Sequence, residues 1–314
     1  MTPNEFIALL TNEIKNVNYK FIENQNSFQL FINKHKVYFN KVDSQGDLNP
    51  KFWFKLKHKN GQIHELGLIC TILLLSKKIK KRVIFYDIGS LYGYFSCICH
   101  SLFKKSKIIL IEGNPLVFKL LKKIINHSSR YKLINAVLSN KTGGRFFYID
   151  RMSFIESEHL NGFINFVKLL ILNLIKKFFN IFKNNYFIVN LKKYNIQSTT
   201  LINIFEKNYK NFQEIYKIDT EGYQSIFLPP YVKNISERDA IVLMEFDSKK
   251  KMKHYGLSNN EILKLFIDMD YHAFWMDHRN SKEIVSIKNV SNQQDKNSLC
   301  ILIPNKLLKS GFVS

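Results

Sequence analysis

Along the 314 residues the spacing of apolar positions changes character once, near Arg82. Ahead of that point the elements are few. From Glu5 to Ile14 apolar residues recur three and four apart, which predicts a short amphipathic helix. Segments near Phe28–Ile32 and Val37–Val42 alternate apolar and polar positions, the period of a half-buried strand, and predict a hairpin. The apolar stretch from His64 to Ile79 predicts a helix that delivers the chain into the first core strand. Residues 1–80 carry no motif of their own and are expected to pack as an extension on the edge of a main domain spanning 81–314.

From Arg82 onward short apolar runs alternate with helical stretches: VIFYDI, KIILIE, YKLINA, EIYKID, AIVLMEF, YHAFWM and SLCILIP. Strands buried on both faces lose the in–out alternation and read as unbroken Ile/Leu/Val runs, with functional residues at their carboxyl ends. Seven such runs, the last close behind the sixth, predict an α/β fold: a doubly wound, seven-stranded Rossmann-like sheet with one antiparallel strand.

One stretch interrupts the rhythm. About seventy residues separate the third and fourth strands, far more than one crossover helix requires, and predict a helical insertion over about 150–195. In its centre, 163–182, Asn165, Lys168, Asn173, Lys176, Lys177 and Asn180 fall on one side of a helix. Phe163, Ile164, Val167, Leu170, Ile171, Leu174, Ile175, Phe178 and Phe182 fall on the other, with Phe166 and Leu169 as exceptions. Three lysines in so short a segment argue against a spanning helix. Two readings stand: a helix packed on its own domain or on a second subunit, and an in-plane membrane helix.

Composition narrows the class. A 46% hydrophobic share with 14% aromatics excludes a disordered chain. The net charge of +22 suggests nucleic acid, but only six of the 47 basic residues are Arg, the phosphate reader with a bidentate fork. Lysine arrives together with abundant Asn, Ile, Phe and Tyr, all encoded by A+T-rich codons, so base composition accounts for much of the excess without a nucleic-acid partner. Cys70, Cys97, Cys99 and Cys300 form no CxxC pair, sit in apolar runs and read as buried, reduced thiols. No secretory signal is visible at the amino terminus, so a cytoplasmic location is expected, peripheral to the inner membrane face if 163–182 lies on lipid.

The segment YDIGSLYGYFS, residues 86–96, reads as a strand end, a glycine turn and a helix start. Gly89 and Gly93 allow a tight turn and close approach to a ligand. Their GxxxG spacing is neither the GxGxxG of a dinucleotide site nor a P-loop, since no Gly-Lys-Ser/Thr follows. Glu112, nineteen positions beyond Gly93, closes the next strand. A carboxylate at that switch point accepts two hydrogen bonds from ribose hydroxyls. With no phosphate to hold, the loop suits a nucleoside carrying an amino-acid tail.

These residues resemble the FkbM family of methyltransferases, which use S-adenosylmethionine (AdoMet) and are often associated with glycan or natural-product pathways. The family's DxGANxGxxS motif is matched by Asp87, Gly89, Gly93 and Ser96, and its E-P-N-P by Glu112, Asn114 and Pro115. The N-A-A-L-S-D stretch is met by Asn135, Ala136, Leu138 and Ser139, and K-I-D-x-E-G by Lys217, Ile218, Asp219, Glu221 and Gly222. Thr199, Thr200 and Leu201 resemble the T-T-L lead-in, and Met244–Glu245 the fifth-strand motif. Leu91, Gly113 and Gln224 depart from it, standing where the family has Asn, Pro and Glu. The resemblance covers about residues 64–304 and implies a methyltransferase sheet, AdoMet as cofactor, and O-methyl transfer to a hydroxyl, with a sugar of a surface glycan or lipid-linked precursor as acceptor. It implies cofactor contacts from Asp87, Gly89, Ser90, Gly93, Phe95, Glu112, Gly113, Asn114, Asn135, Ala136 and Asp219.

Methyl transfer from a sulfonium is an in-line displacement, so the protein must align the reactants and remove the hydroxyl proton. Asp219 and Glu221 are the leading candidates for that base, with Lys217 and Glu245 behind them; each carboxylate equally suits a turn cap or an ammonium contact. His254, His272 and His278 are further titratable groups expected near the same face, and no metal is expected because no HExxH or dense His/Asp cluster occurs. A nucleic-acid methyltransferase is the first rival, although no D/N-P-P-Y/F motif is present. An AdoMet-fold binding protein without activity is the second, resting on Leu91 and Gln224.

Overall fold

The computed structural model describes residues 1–44, 48–126, 128–140, 142–150, 153–156, 192–252, 255–277, 283–291, 294 and 297–312. The chain opens with α1 (Pro3–Asn16), whose start is dictated by Thr2. Its hydroxyl accepts from the Glu5 N–H, the Glu5 carboxylate accepts in return from the Thr2 N–H, and Pro3 occupies the first turn. Strands β1 (Tyr19–Glu23), β2 (Ser27–Ile32) and β3 (His35–Asn40) come next as an antiparallel sheet. The expected hairpin is its second half; β1 joins through the register Tyr19↔Ile32. Helix α2 (Pro50–Lys57), capped by Asn49, was not anticipated, whereas α3 (Leu66–Lys78) falls where the apolar stretch predicts it.

The main sheet holds eight strands: β4 (Arg82–Ile88), β5 (Ser106–Ile111), β6 (Tyr131–Ile134), β11 (Phe212–Ile218), β12 (Ile241–Phe246), β13 (Tyr271–Met276), β14 (Ile284–Ile287) and β15 (Ser298–Pro304), in the order β14-β13-β15-β12-β11-β4-β5-β6. All seven expected runs lie in it, and β14 adds an edge. The five strands from β12 to β6 run parallel, β15 is inserted antiparallel between β12 and β13, and β14 pairs antiparallel to β13. The chain enters at β4, winds outward to β6, and resumes on the other side of β4 with β11. That reversal opens a crevice at the carboxyl ends of β4 and β11, the usual ligand position in such sheets.

Both faces are covered. Alternate residues of β4 serve opposite cores: Val83 and Phe85 pack with α3, α4 (Tyr94–Leu102) and α5 (Pro115–Ile124), whereas Ile84, Tyr86 and Ile88 pack with the helices on the other face, including α6 (Asn259–Ile267). Residues 1–80 share the first of these cores. The Phe6 ring lies 4.5 Å from that of Phe274 in β13, and Phe39 in β3 stacks 5.5 Å from Tyr94 in α4. A second, four-stranded sheet of β7 (Val137–Leu138), β8 (Gly143–Asp150), β9 (Ser153–Glu156) and β10 (Lys192–Thr199) flanks the region expected to be a helical insertion, so both margins of 150–195 are strand; the segment 163–182 lies outside the described residues. The chain closes with α7 (Asn305–Ser310). No helix among the described residues is long and apolar enough to cross a membrane. The four cysteines are buried and free, and burial pushes each thiol well above its usual range, to about 12 for Cys70 and Cys97.

Candidate functional site

The glycine turn after β4 spends its own donors inside the protein. Gly89 and Ser90 N–H both reach the Ile111 carbonyl, at 3.0 and 3.1 Å, Gly93 N–H returns to the Ser90 carbonyl, and Leu91 N–H meets Glu112 Oε2 at 2.9 Å. A phosphate-binding turn needs those N–H groups free and aimed at the ligand. The two glycines are required for protein contacts. Gly89 (φ +75°) passes so close to β11 that a Cβ would lie 1.8 Å from the Asp219 carbonyl oxygen. Gly93 (φ +71°) meets Leu121 of α5 and Ile125 just after it, at 2.8 and 3.0 Å from the same ideal position, and not the cavity. Leu91 also adopts a left-handed φ of 48°, a conformation Asn tolerates better than Leu.

Glu112 sits at the end of β5 with both carboxylate oxygens fixed: Oε2 by Leu91 N–H and Oε1 by Asn114 N–H at 2.7 Å. Asn114 is the N-cap of α5, its Oδ1 accepting from Leu116 and Val117, and the Asn135 amide donates to the Glu112 carbonyl at 2.7 Å. These two asparagines therefore orient Glu112 from behind. Burial raises the Glu112 carboxyl to about 7, against the opposing pull of its two N–H donors.

On the neighbouring strand, the register pairs Lys217 with Asp87. The buried Lys217 ammonium donates to the Gly89 carbonyl at 3.1 Å and to Asp219 at 3.3 Å, lies 3.5 Å from Asp87, and rests 5.5 Å above the Phe95 ring. Burial alone would lower it, but the Asp219 and Asp87 carboxylates outweigh burial and hold it charged. Asp87, fully buried, accepts from Ser96 Oγ at 2.7 Å; burial raises its carboxyl against Lys217. Asp87, Ser96, Lys217 and Phe95 thus form a floor beneath the site.

Above that floor lies a cavity of about 440 Å³. Of the residues singled out in the sequence, Gly89, Glu112, Gly113, Ala136, Asp219, Glu221 and Glu245 line it, together with Leu91; Asp87, Ser90, Gly93, Phe95, Asn114, Asn135 and Lys217 do not. Apolar walls come from Ile88, Ile111, Val137, Leu138 and Phe227. Glu245 and Asp219 form a carboxylate pair here: burial first, then the facing Asp219 carboxylate, pushes Glu245 well above the carboxylate range. Asn297 Nδ2 donates to Glu245 Oε1 at 3.1 Å. Glu221 is half-exposed, in a left-handed φ of 55°, and ion-paired with Lys251, which also meets buried Asp247 at 3.0 Å. Gln224 lies below this turn: its amide donates to Asp247 and to the Glu245 carbonyl, both at 3.1 Å, while its oxygen accepts from Thr220 Oγ1 and Gly222 N–H.

Trp53, Leu56, Lys57, His64 and Glu65 close the cavity from the amino-terminal segment, Lys251 from the short helix Lys249–Met252 and Asn297 from just ahead of β15. None belongs to a motif, and no local spacing marks them. His272, near the amino end of β13 and so on the opposite edge of the sheet, bonds Ser286 at 2.8 Å, and burial lowers its imidazole. His254 and His278 lie outside the described residues. Among the described residues no group of three or more side chains is arranged to hold a metal ion.

No protein-family model matches the chain, and neither does any curated protein. Among solved structures it is similar to methyltransferase FkbM from Methylobacillus flagellatus KT, at 11% identity and a TM-score of 0.38 over 71% of this chain. The chain spans 43% of that protein's length. It is also similar to the plantazolicin methyltransferase BpumL in complex with SAH (10% identity, TM-score 0.39, 81% of this chain and 90% of that one) and to fibrillarin from Aeropyrum pernix with natively bound S-adenosyl-L-methionine (9%, 0.32, 92% and 99%). The functional reading therefore rests on the site's own geometry.

Proposed function

We propose that this chain is an AdoMet-dependent O-methyltransferase of the FkbM type, transferring a methyl group to a sugar hydroxyl of a glycan or lipid-linked precursor. The observation that carries the reading is Glu112. Each of its oxygens is held by one backbone N–H, which leaves each a second lone pair, and the residue lines a cavity large enough for a nucleoside. A vicinal diol donates to that arrangement, and the residues present fit the group: the apolar wall of Ile111, Val137 and Leu138 suits a purine, and a turn with no free N–H cradle suits a cofactor without phosphate.

When bound, AdoMet supplies an electrophilic methyl on sulfur. The remaining work falls to the chain's own residues. Asp219, ion-paired with Lys217 at 3.3 Å, accepts the hydroxyl proton; Glu245, protonated and held by Asn297, donates to Asp219 and fixes its orientation. Two of the three departures from the motif of the resembling family, Leu91 and Gln224, are accommodated. Leu91 contributes its backbone N–H, and Gln224 stands under the site and takes no carboxylate away from the cavity.

Titration calorimetry tests the reading. AdoMet is expected to bind wild type in the micromolar range, and Glu112→Ala to weaken binding at least tenfold. A wild-type protein that fails to bind AdoMet sinks the proposal and leaves a nonenzymatic role. Methyl incorporation from labelled AdoMet into oligosaccharide, and none into RNA, is the companion result.

A further inference from the structure

The two most exposed large apolar side chains among the described residues, Phe52 (64%) and Leu56 (55%), stand one turn apart on α2. The same helix turns Trp53 and Phe54 inward, beneath Tyr92, Tyr94 and Phe39, so its core duty is already met without them. From Leu48 to His64 the chain carries Lys51, Lys55, Lys57 and Lys59 and no acidic residue. Lys51 and Lys55 reach back to Asp43 and Glu23, at 3.3 and 3.0 Å, whereas Lys57 and Lys59 make no ion pair among the described residues. At about 100° per residue, Lys55 flanks the Phe52–Leu56 ridge. The patch is continuous with the cavity, because Trp53, Leu56 and Lys57 form part of its wall.

We infer that the outward face of α2 seats the protein on an anionic lipid surface, with the cavity opening beside that contact. An apolar ridge edged by lysines is the chemistry of an interfacial anchor: the rings and branched chains enter the headgroup boundary while the ammonium groups stay with lipid phosphates. Lysines without a carboxylate partner favour an anionic headgroup over a neutral one. Continuity with the cavity wall adds the orientation, bringing a lipid-carried hydroxyl to Asp219 without leaving the membrane plane. That last clause rests on the methyl-transfer reading; the lipid contact does not.

Vesicle co-sedimentation of the full chain tests it, using phosphatidylcholine alone and phosphatidylcholine with about a third phosphatidylglycerol, a strongly anionic mixture. Wild type is expected to pellet with the anionic vesicles and stay in solution with the neutral ones, and the partition should fall as salt rises. Phe52→Asp should lower the anionic-vesicle partition at least tenfold, and Lys59→Glu several-fold, with thermal melting by circular dichroism showing both variants folded. Three results overturn the inference: wild type that ignores anionic vesicles, Phe52→Asp binding as wild type does, or loss of a dimer in ultracentrifugation on Phe52→Asp, which would make a second copy of the chain the occupant. Failure of AdoMet to bind would refute the enzyme reading and leave the vesicle result intact.

Discussion

The amide of Gln224 donates to the buried carboxylate of Asp247 at 3.1 Å, and the same side chain accepts from Thr220 and Gly222 in the turn that carries Glu221. A glutamate here, the residue of the resembling family, has no N–H to offer. It would set a second carboxylate against one whose pKa burial already raises. Gln224→Glu is therefore expected to destabilise the protein by about 2–4 kcal/mol at pH 8, the scale of two lost buried hydrogen bonds plus like-charge contact. The sign with pH is fixed by the same chemistry: the pair gains a proton in the fold, so the deficit shrinks as pH falls toward the ordinary carboxylate range. Scanning calorimetry at pH 8 and pH 5.5 measures both, and an unchanged melting temperature at pH 8 refutes the account.

Gly89 and Asp219 are locked together by the absence of one carbon. An added Cβ at Gly89 would fall 1.8 Å from the Asp219 carbonyl, and the residue's φ of +75° is strained for any L side chain. The obstacle is backbone, which cannot swing away as a side-chain tip can. Gly89→Ala should cost about 3 kcal/mol or more and shift Asp219 enough to abolish methyl transfer. Gly93→Ala meets side-chain atoms of Leu121, Ile125 and Leu110 and no backbone atom among the three nearest, so its steric component should be smaller. Denaturant unfolding of the two variants gives the comparison, and equal stability of Gly89→Ala and wild type contradicts the close approach.

The Asp219–Glu245 pair makes an asymmetric forecast. Glutamine is a near-isosteric donor and imitates a protonated glutamate, so Glu245→Gln should retain activity within about tenfold. Asp219→Asn removes the group proposed to take the proton and should lower kcat by about 10²–10⁴-fold, the range of general-base catalysis, with AdoMet affinity changed far less. Single-turnover methylation assays separate the two. A Glu245→Gln variant as impaired as Asp219→Asn would make Glu245 the proton acceptor instead.

How much of this was legible in the sequence depends on what kind of order each residue obeys. Glu112 was legible because the apolar run KIILIE closes on a carboxylate at the end of a buried parallel strand, whereas Asp219 and Glu245 were reached through the motif resemblance, since Lys217 interrupts the one run and Phe246 closes the other. Helix α2 was hidden because KFWFKLK is apolar on more than one side, and only Asn49 and Pro50 marked its start. Strand β14, four residues at the sheet edge, has too short a period to register. Trp53, Lys57 and Glu65 reach the cavity through tertiary packing alone, from a segment that precedes every motif. Gly93 shows the opposite case: a motif residue with a correct position and a different duty, packing α4 on α5. The expected helix at 163–182 lies outside the described residues.

Glu112 itself should impose a pH dependence on cofactor affinity. Its carboxyl titrates at about 7, raised from 4.5 by burial. Only the ionised form presents lone pairs on both oxygens to a diol; protonation converts one oxygen into a donor and breaks half of the arrangement. AdoMet affinity should therefore be full at about pH 8, above the carboxyl's pKa, and weaken as pH falls through 7. Well below the pKa it should change by up to about tenfold per pH unit, the slope for one linked proton. Bound AdoMet stabilises the ionised form in return, so binding near pH 7 should release a fraction of a proton, read as a buffer-dependent calorimetric enthalpy. Glu112→Gln cannot titrate, and its weaker affinity should be flat over the same interval. A wild-type affinity equally flat from pH 6 to pH 8.5 would remove Glu112 from the role of ribose acceptor.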